Sequence, residues 1–218
     1  MGSIQQFNWI KNNIHLINSP ILEIGSRYIA KNVSMDYRSL FKDSSFTGID
    51  MFPGNNVDKV IDLTWDFDRI KKKIGGLKFN AIICCSVFEH IDNIFKAADN
   101  LSKLTNKNGI LFISVPFVWE FHAYPDDFWR FTPQAIKYLF PEFSFKPELS
   151  TLDDYFLSDK TYILPEDGAL FNSIVTAKVS KPSPKQKFWH KFKSTQIKPE
   201  IQKRLIKFSM INMVGIKN

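Results

Sequence analysis

Residues 21–26 read ILEIGS, and further on residues 46–51 read FTGIDM. The first is a short apolar run entering Gly25 and Ser26, the pattern of a buried strand that meets a tight turn. Gly25 lets the backbone bend sharply and pass close to a ligand. The second run is another strand, with Asp50 and Met51 at its tip. Working outward, KVIDL (59–63) reads as a third short strand. NAIICCSVF (80–88) is too short for a confident helix and reads as the central strand, followed by a helix over about 89–104. NKNG (106–109) turns into the strand ILFISVPF. IQQFNWIKNNIHLI (4–17) has helical spacing and ends at Ser19-Pro20. TPQAIKYLF opens a helix with Thr132 as N-cap and Pro133 at its first position. FSFKPEL (143–149) and ALFNSIVTAKV (169–179) are expected as the last two strands. Strands alternating with helices imply an α/β fold with an open, mostly parallel sheet. Such sheets bind ligands at the C-terminal strand ends, near the point where strand order reverses.

The chain has 218 residues, enough for one domain with an appendage. No apolar run approaches the ~20 residues of a membrane-spanning helix, and the start lacks the pattern of a secretory signal. Cys84 and Cys85 are neighbours in an apolar run, unsuited to a structural disulfide, so a reduced cytoplasmic setting is expected. The net charge of +7 is unevenly placed. From residue 180 onward there are 10 Lys+Arg against one acid, Glu200, while the rest holds 19 basic and 21 acidic side chains. That argues against a nucleic-acid groove on the main domain. It divides the chain into a domain at 1–180 and a basic tail at 181–218. In the tail Phe188, Trp189 and Phe192 lie among lysines, and Ile201, Leu205, Ile206 and Phe208 suggest a short amphipathic helix. Such a tail fits peripheral contact with anionic lipid at the inner membrane face, or packing on its own domain or on a second subunit of a homo-oligomer.

LEIGS, GID, the DLT of 62–64, CCSVFEHI and NKNGILFISVPF fall in an order that resembles the class I S-adenosylmethionine-dependent methyltransferases. The resemblance spans roughly residues 18–180 and implies a Rossmann-like, seven-stranded, mostly parallel sheet flanked by helices. It also implies S-adenosylmethionine as cofactor and S-adenosylhomocysteine as product. Gly25 and Ser26 would lie against the methionine part, Asp50 would hold the ribose hydroxyls, and Asp62 with Leu63 would border the adenine. The expected cofactor-binding set is Glu23, Gly25, Ser26, Arg27, Asp50, Met51, Asp62, Leu63, Ser86 and His90. Arg27 and Tyr28 depart from the family, which commonly has further glycines there. The loop GSR, the VD-x-V-x-D pattern of VDKVID and the segment HAYPDDFWRFTP (122–133) resemble one branch often found among bacterial cell-surface polysaccharide genes.

That last segment follows the strand SVPF, so it leaves the sheet on the cofactor side and is read as a substrate loop. The rival reading packs Phe128, Trp129 and Phe131 on the core with Asp126 and Asp127 in water. Methyl transfer from a sulfonium mainly needs an acceptor held in line, and a sugar hydroxyl must also lose its proton. His122 is the expected base, with Asp126 or Asp127 orienting its ring or gripping the acceptor. Tyr124 and Trp129 would offer an aromatic surface to a sugar, and Arg130 would bind an acceptor anion or pair with an acidic neighbour. A metal site from His122, Asp126 and Asp127 would need further ligands, and no His cluster completes it, so no metal is expected. Ser86 and Glu89 read as a capping box, although His90 would still line the sulfonium end. The function expected is O-methylation of a sugar or cell-surface glycan, the acceptor being free or lipid-linked. Alternatives are methylation of a small non-sugar metabolite, or a silent cofactor-binding module in a glycan assembly complex.

Overall fold

The computed structural model describes residues 3–28, 36–123, 125–154, 160–163 and 208–218. One nine-stranded sheet organises them. Its strands are β1 (Ile21–Ile24), β2 (Phe46–Asp50), β3 (Lys59–Val60), β4 (Phe79–Cys85), β5 (Thr105–Val118), β6 (Phe143–Phe145), β7 (Thr151–Asp154), β8 (Lys160–Ile163) and β9 (Ser209–Lys217). The order is β3-β2-β1-β4-β5-β9-β7-β8, with β6 also paired to β9. Pairings from β3 through β5 are parallel, whereas β9 runs antiparallel to β5, β6 and β7. The strand order reverses between β1 and β4, so the loops after those two strands frame the crevice expected of an open α/β sheet.

Both faces are covered, which is why the strands read as nearly continuous apolar runs. Leu22, Ile82, Cys84, Leu111 and Ile113 join one core with α2 (Phe67–Ile74), α3 (Ile94–Leu104) and α4 (Pro133–Leu139). Ile21, Ile83, Cys85, Ile110 and Phe112 join the opposite core with α1 (Ile4–Asn12). Because side chains alternate along a strand, the adjacent thiols of Cys84 and Cys85 fall in different cores and are free. The helices start where their caps dictate. Ser3 and Gln6 form a capping box on α1, Asn93 caps α3, and Thr132 caps α4 with Pro133 next. Gly75, at φ +78°, ends α2.

Two expectations need correction. The boundary at residue 180 fails for the end of the chain, because residues 209–217 form β9 inside the sheet, not a tail apart from the domain. Residues 209–215 are all buried; Ile211 and Met213 face one core and Val214 the other. Charge counting placed this segment with the lysines before it, but its one cation, Lys217, sits at the strand end. There its ammonium donates to the Ser102 carbonyl at 2.7 Å and approaches Glu142 at 3.3 Å. The sheet also has nine strands against seven expected, since β6 and β8 add short edges. The strand expected at 169–179 and the helical stretch 201–207 lie outside the described residues. No helix among the described residues is long and apolar enough to cross a membrane.

Candidate active site

The glycine turn after β1 is held by two amides, Gly25 and Ser26, which donate to the Ile49 carbonyl of β2 at 2.9 and 3.0 Å. Gly25 has φ +72°, and a Cβ there would come within 2.6 Å of Val87 Cγ2. The turn after β1 therefore packs directly on the segment after β4, across the point where strand order reverses. Gly48 is equally constrained: a Cβ would lie 2.3 Å from the Asn56 carbonyl and 2.6 Å from Ser26 Oγ. Only glycine lets β2 approach that closely.

Around this turn the chain leaves buried polar atoms without partners. Glu23 is 3% exposed, and its Oε2 and the Ser26 hydroxyl accept or donate no hydrogen bond. Burial, reinforced by Asp36 and opposed by Arg38, pushes the Glu23 carboxyl up to about 8. Buried groups of this kind are normally satisfied, and these two lie beside the glycine turn at the C-terminal end of β1. Asp50 ends β2, and one of its oxygens accepts from the Phe52 amide at 2.9 Å. Met51 and Phe52 are exposed beside it, and Arg27 lies over the Phe52 ring at 5.1 Å. Asp62 Oδ1 accepts from the Thr64 amide and hydroxyl, both at 2.8 Å, next to buried Leu63.

The loop after β5 folds back onto the segment after β4 and is clipped there. Amides of Phe128 and Trp129 donate to the Glu89 carbonyl at 2.8 and 3.3 Å. The Trp129 indole donates to the Ile91 carbonyl at 2.8 Å, and His90 Nδ1 meets the Asp126 carbonyl at 2.5 Å. The result brings the His90 and His122 rings to 5.0 Å, nearly perpendicular. His122 Nδ1 stands 3.1 Å from the Glu120 carbonyl and 3.2 Å from Asp127 Oδ2, and its backbone amide also donates to Asp127. Both neighbours of that nitrogen are acceptors, so Nδ1 carries the proton in the neutral ring and Nε2 keeps the lone pair.

Asp127, not Asp126, is the carboxylate beside His122. Its side chain is 1% exposed and receives a bidentate pair from Arg130 at 2.6 and 2.8 Å. The Arg130 hydrogen bonds hold the Asp127 carboxyl down at about 2. Arg130 also donates to the carbonyls of Trp119, Glu120 and Trp129. All five of its N–H groups are thus engaged within the protein, in keeping with the pairing reading. The three-residue metal reading of the loop finds no support in the geometry: Asp127 is paired with Arg130, and among the described residues the ligand atoms that converge with His122 are those of Glu89 and His90, not Asp126 or Asp127. In the loop Phe131 packs in the core, while Phe121, Phe128 and Trp129 are exposed; Tyr124 lies outside the described residues.

Glu89 departs from its expected role. It starts no capping box: Ser86 sits at φ +55° and accepts from the Gln6 amide nitrogen at 3.0 Å, and Asn93 caps the helix instead. Glu89 is 1% exposed, its Oε2 has no hydrogen-bond partner, and burial pushes its carboxyl up to about 8. Burial also lowers the pKa of His90. Sequence reasoning missed Gln6, whose side-chain nitrogen donates to Ser86 and to Ser114 of β5 at 2.6 Å. Its only signal was the S-x-x-Q start of α1.

No family model matches the chain, and no curated protein matches it in sequence. Solved structures do match its fold. A SAM-dependent methyltransferase from Archaeoglobus fulgidus superposes with a TM-score of 0.55 at 13% identity, covering 97% of this chain and 92% of that one. The YcgJ protein from Bacillus subtilis gives 0.53 at 11% identity, covering 99% of each chain. A Galdieria sulphuraria protein assigned as a sarcosine dimethylglycine methyltransferase gives 0.52 at 11% identity, covering 99% and 86%. The reversal of strand order between β1 and β4, the antiparallel β9 and these superpositions agree: the chain has the Rossmann-like α/β fold seen in S-adenosylmethionine-dependent methyltransferases.

Proposed function

We propose that the protein is a class I methyltransferase that moves the methyl group of S-adenosylmethionine to an oxygen on a sugar or cell-surface glycan. The observation that carries this reading is the pair of unsatisfied buried groups, Glu23 and Ser26, at a glycine turn packed against Val87 where strand order reverses. A methionine ammonium and carboxylate would supply the charge and hydrogen bonds those atoms lack. Asp50 would take the ribose hydroxyls with its free oxygen, and Asp62 with Leu63 would border the adenine. The cofactor supplies an activated methyl; the protein holds the acceptor in line and removes its proton.

The clipped loop supports the acceptor side. His122, ring proton directed to Glu120 and Asp127, keeps Nε2 as a base, and exposed Phe121, Phe128 and Trp129 offer flat apolar surface suited to one face of a sugar ring. The glycan acceptor, the polysaccharide branch, a lipid-linked substrate and contact of the basic segment with the inner membrane face belong to this proposal. The name of the Galdieria structure favours a second reading, methylation of a small amine. Calorimetric titration with S-adenosylhomocysteine tests the cofactor. Saturable binding is expected, weakened about 10- to 100-fold in Asp50→Ala, which loses a charged hydrogen-bond acceptor. His122→Ala should retain that affinity and lose turnover. No binding by folded protein would overturn the reading, and binding without turnover on any acceptor would favour the silent cofactor-binding module.

A further inference from the structure

We infer that Glu89, His90 and His122 form a binding site for a divalent transition-metal ion of the Zn²⁺ or Co²⁺ class. One ligand atom from each residue lies within 4.8 Å of the other two, and His90 Nε2 stands 3.9 Å from Glu89 Oε1. A tetrahedral site with bonds of about 2.1 Å has edges of about 3.4 Å, so side-chain adjustments of roughly an ångström close it. The sequence shows no such cluster, because Glu89 and His90 follow β4 and His122 follows β5. Only the clipped loop brings them together.

Three features go beyond proximity. Each imidazole is held as metal-ligating histidines are, with Nδ1 on a carbonyl or carboxylate and Nε2 left as the lone pair. For His90 the acceptor is the Asp126 carbonyl, and for His122 it is Glu120 together with Asp127. Arg130 in turn locks Asp127 with a bidentate pair. Glu89 is 1% exposed, its Oε1 is the oxygen near His90, and its Oε2 has no hydrogen-bond partner. The nearby guanidinium of Arg130 has every N–H occupied and does not satisfy it. A buried carboxyl group with an unpartnered oxygen is costly, and an ion bound by it and two imidazoles removes that cost. Two nitrogens and one carboxylate select borderline ions over Mg²⁺ or Ca²⁺, which prefer all-oxygen sites.

Three protein ligands leave a coordination position open. The role of the ion rests on the methyltransferase reading, though its binding does not. An acceptor hydroxyl bound to the ion would lose its proton to solvent, and the resulting alkoxide would attack the sulfonium methyl. The new O–CH₃ bond forms as the S–CH₃ bond breaks, and its electron pair stays on sulfur as the neutral thioether. His122 then serves as ligand and the ion replaces it in activating the hydroxyl.

The test is titration of chelator-stripped full-length protein with Co²⁺, followed by visible ligand-field absorption, and with Zn²⁺ by calorimetry. One equivalent should bind with a spectrum of nitrogen–oxygen ligation. Affinity should fall at least tenfold in His122→Ala and Glu89→Gln, and about 10- to 100-fold in Asp127→Asn, which keeps all three ligands but loses the charge behind His122. His122 lies on a part-exposed loop, so its variant should fold, as far-ultraviolet circular dichroism will verify. Absence of stoichiometric binding, or binding indifferent to these substitutions, overturns the site. Full turnover in the stripped protein overturns the role. S-adenosylhomocysteine titration in the presence of chelator reads the cofactor site separately, so failure of the metal and failure of the methyltransferase reading are distinguishable.

Discussion

Glu23→Gln exchanges the buried carboxyl in β1 for a neutral amide of the same shape. In the native chain burial, helped by Asp36 and Asp58 and opposed by Arg38, raises that carboxyl from 4.5 to about 8. The folded protein therefore holds the Glu23 proton more tightly than the unfolded chain does. The stability contributed is complete below pH 4.5 and is lost as pH rises through about 8. At ~1.4 kcal/mol per tenfold change the whole span is roughly 5 kcal/mol. Water entering an open crevice reduces this, so about 2–4 kcal/mol is expected between pH ~5 and pH ~9. Urea unfolding of both proteins, followed by tryptophan fluorescence across that range, reads it directly. The two should be nearly equally stable at the acid end, and the glutamine variant should gain on the native protein as pH rises. Glu89 is also raised to about 8, but it titrates in both proteins and cancels in the difference. The Cys85 thiol, pushed up to about 12, stays protonated throughout. A difference that does not change with pH would refute the reasoning. An ammonium-bearing cofactor beside Glu23 would favour its ionised form, so S-adenosylhomocysteine binding near neutral pH should release a proton, seen as buffer-dependent heat.

Arg130→Met leaves the Asp127 carboxylate without its cation on a part-exposed loop and should destabilise the protein by about 1–3 kcal/mol in chemical denaturation; a loss below ~0.5 kcal/mol would mean the pair is surface-like. Gly25→Ala forces φ +72° on a residue with a Cβ and drives that carbon into Val87. It should lower thermal stability by about 1–2 kcal/mol from the backbone alone, and Val87→Ala in the same chain should relieve only the clash. Deleting residues 209–218 should abolish cooperative unfolding, because β9 joins β5, β6 and β7; an unchanged midpoint would contradict its place in the sheet.

The legible parts of this protein are those that neighbours in the chain impose. ILEIGS reads as strand and turn because only glycine takes φ +72° easily, and that bond rotation is a property of one residue. Thr132-Pro133 starts α4 because the cap and the missing amide act within one turn of helix. The alternation that puts Cys84 and Cys85 in separate cores is likewise written in the strand period. Asp50 was placed at a strand tip by the same local reading.

What the chain alone left open depends on contacts between distant segments. SMINMVGIK carries a strand pattern, but its charge context assigned it to a tail, and only pairing with β5 shows where its apolar faces are buried. Ser86 and Glu89 have the spacing of a capping box, yet a bond from Gln6 holds the serine and the fold buries the glutamate. Arg130 had two readings until the carbonyls of Trp119 and Glu120 came within reach. The meeting of His90 with His122 belongs to the same class. Sequence determined the elements and the turn that open the crevice, because backbone preference and hydrophobic period are local. Tertiary structure decided which charges are buried and which side chains face one another there, because desolvation and pairing arise only when separate segments pack.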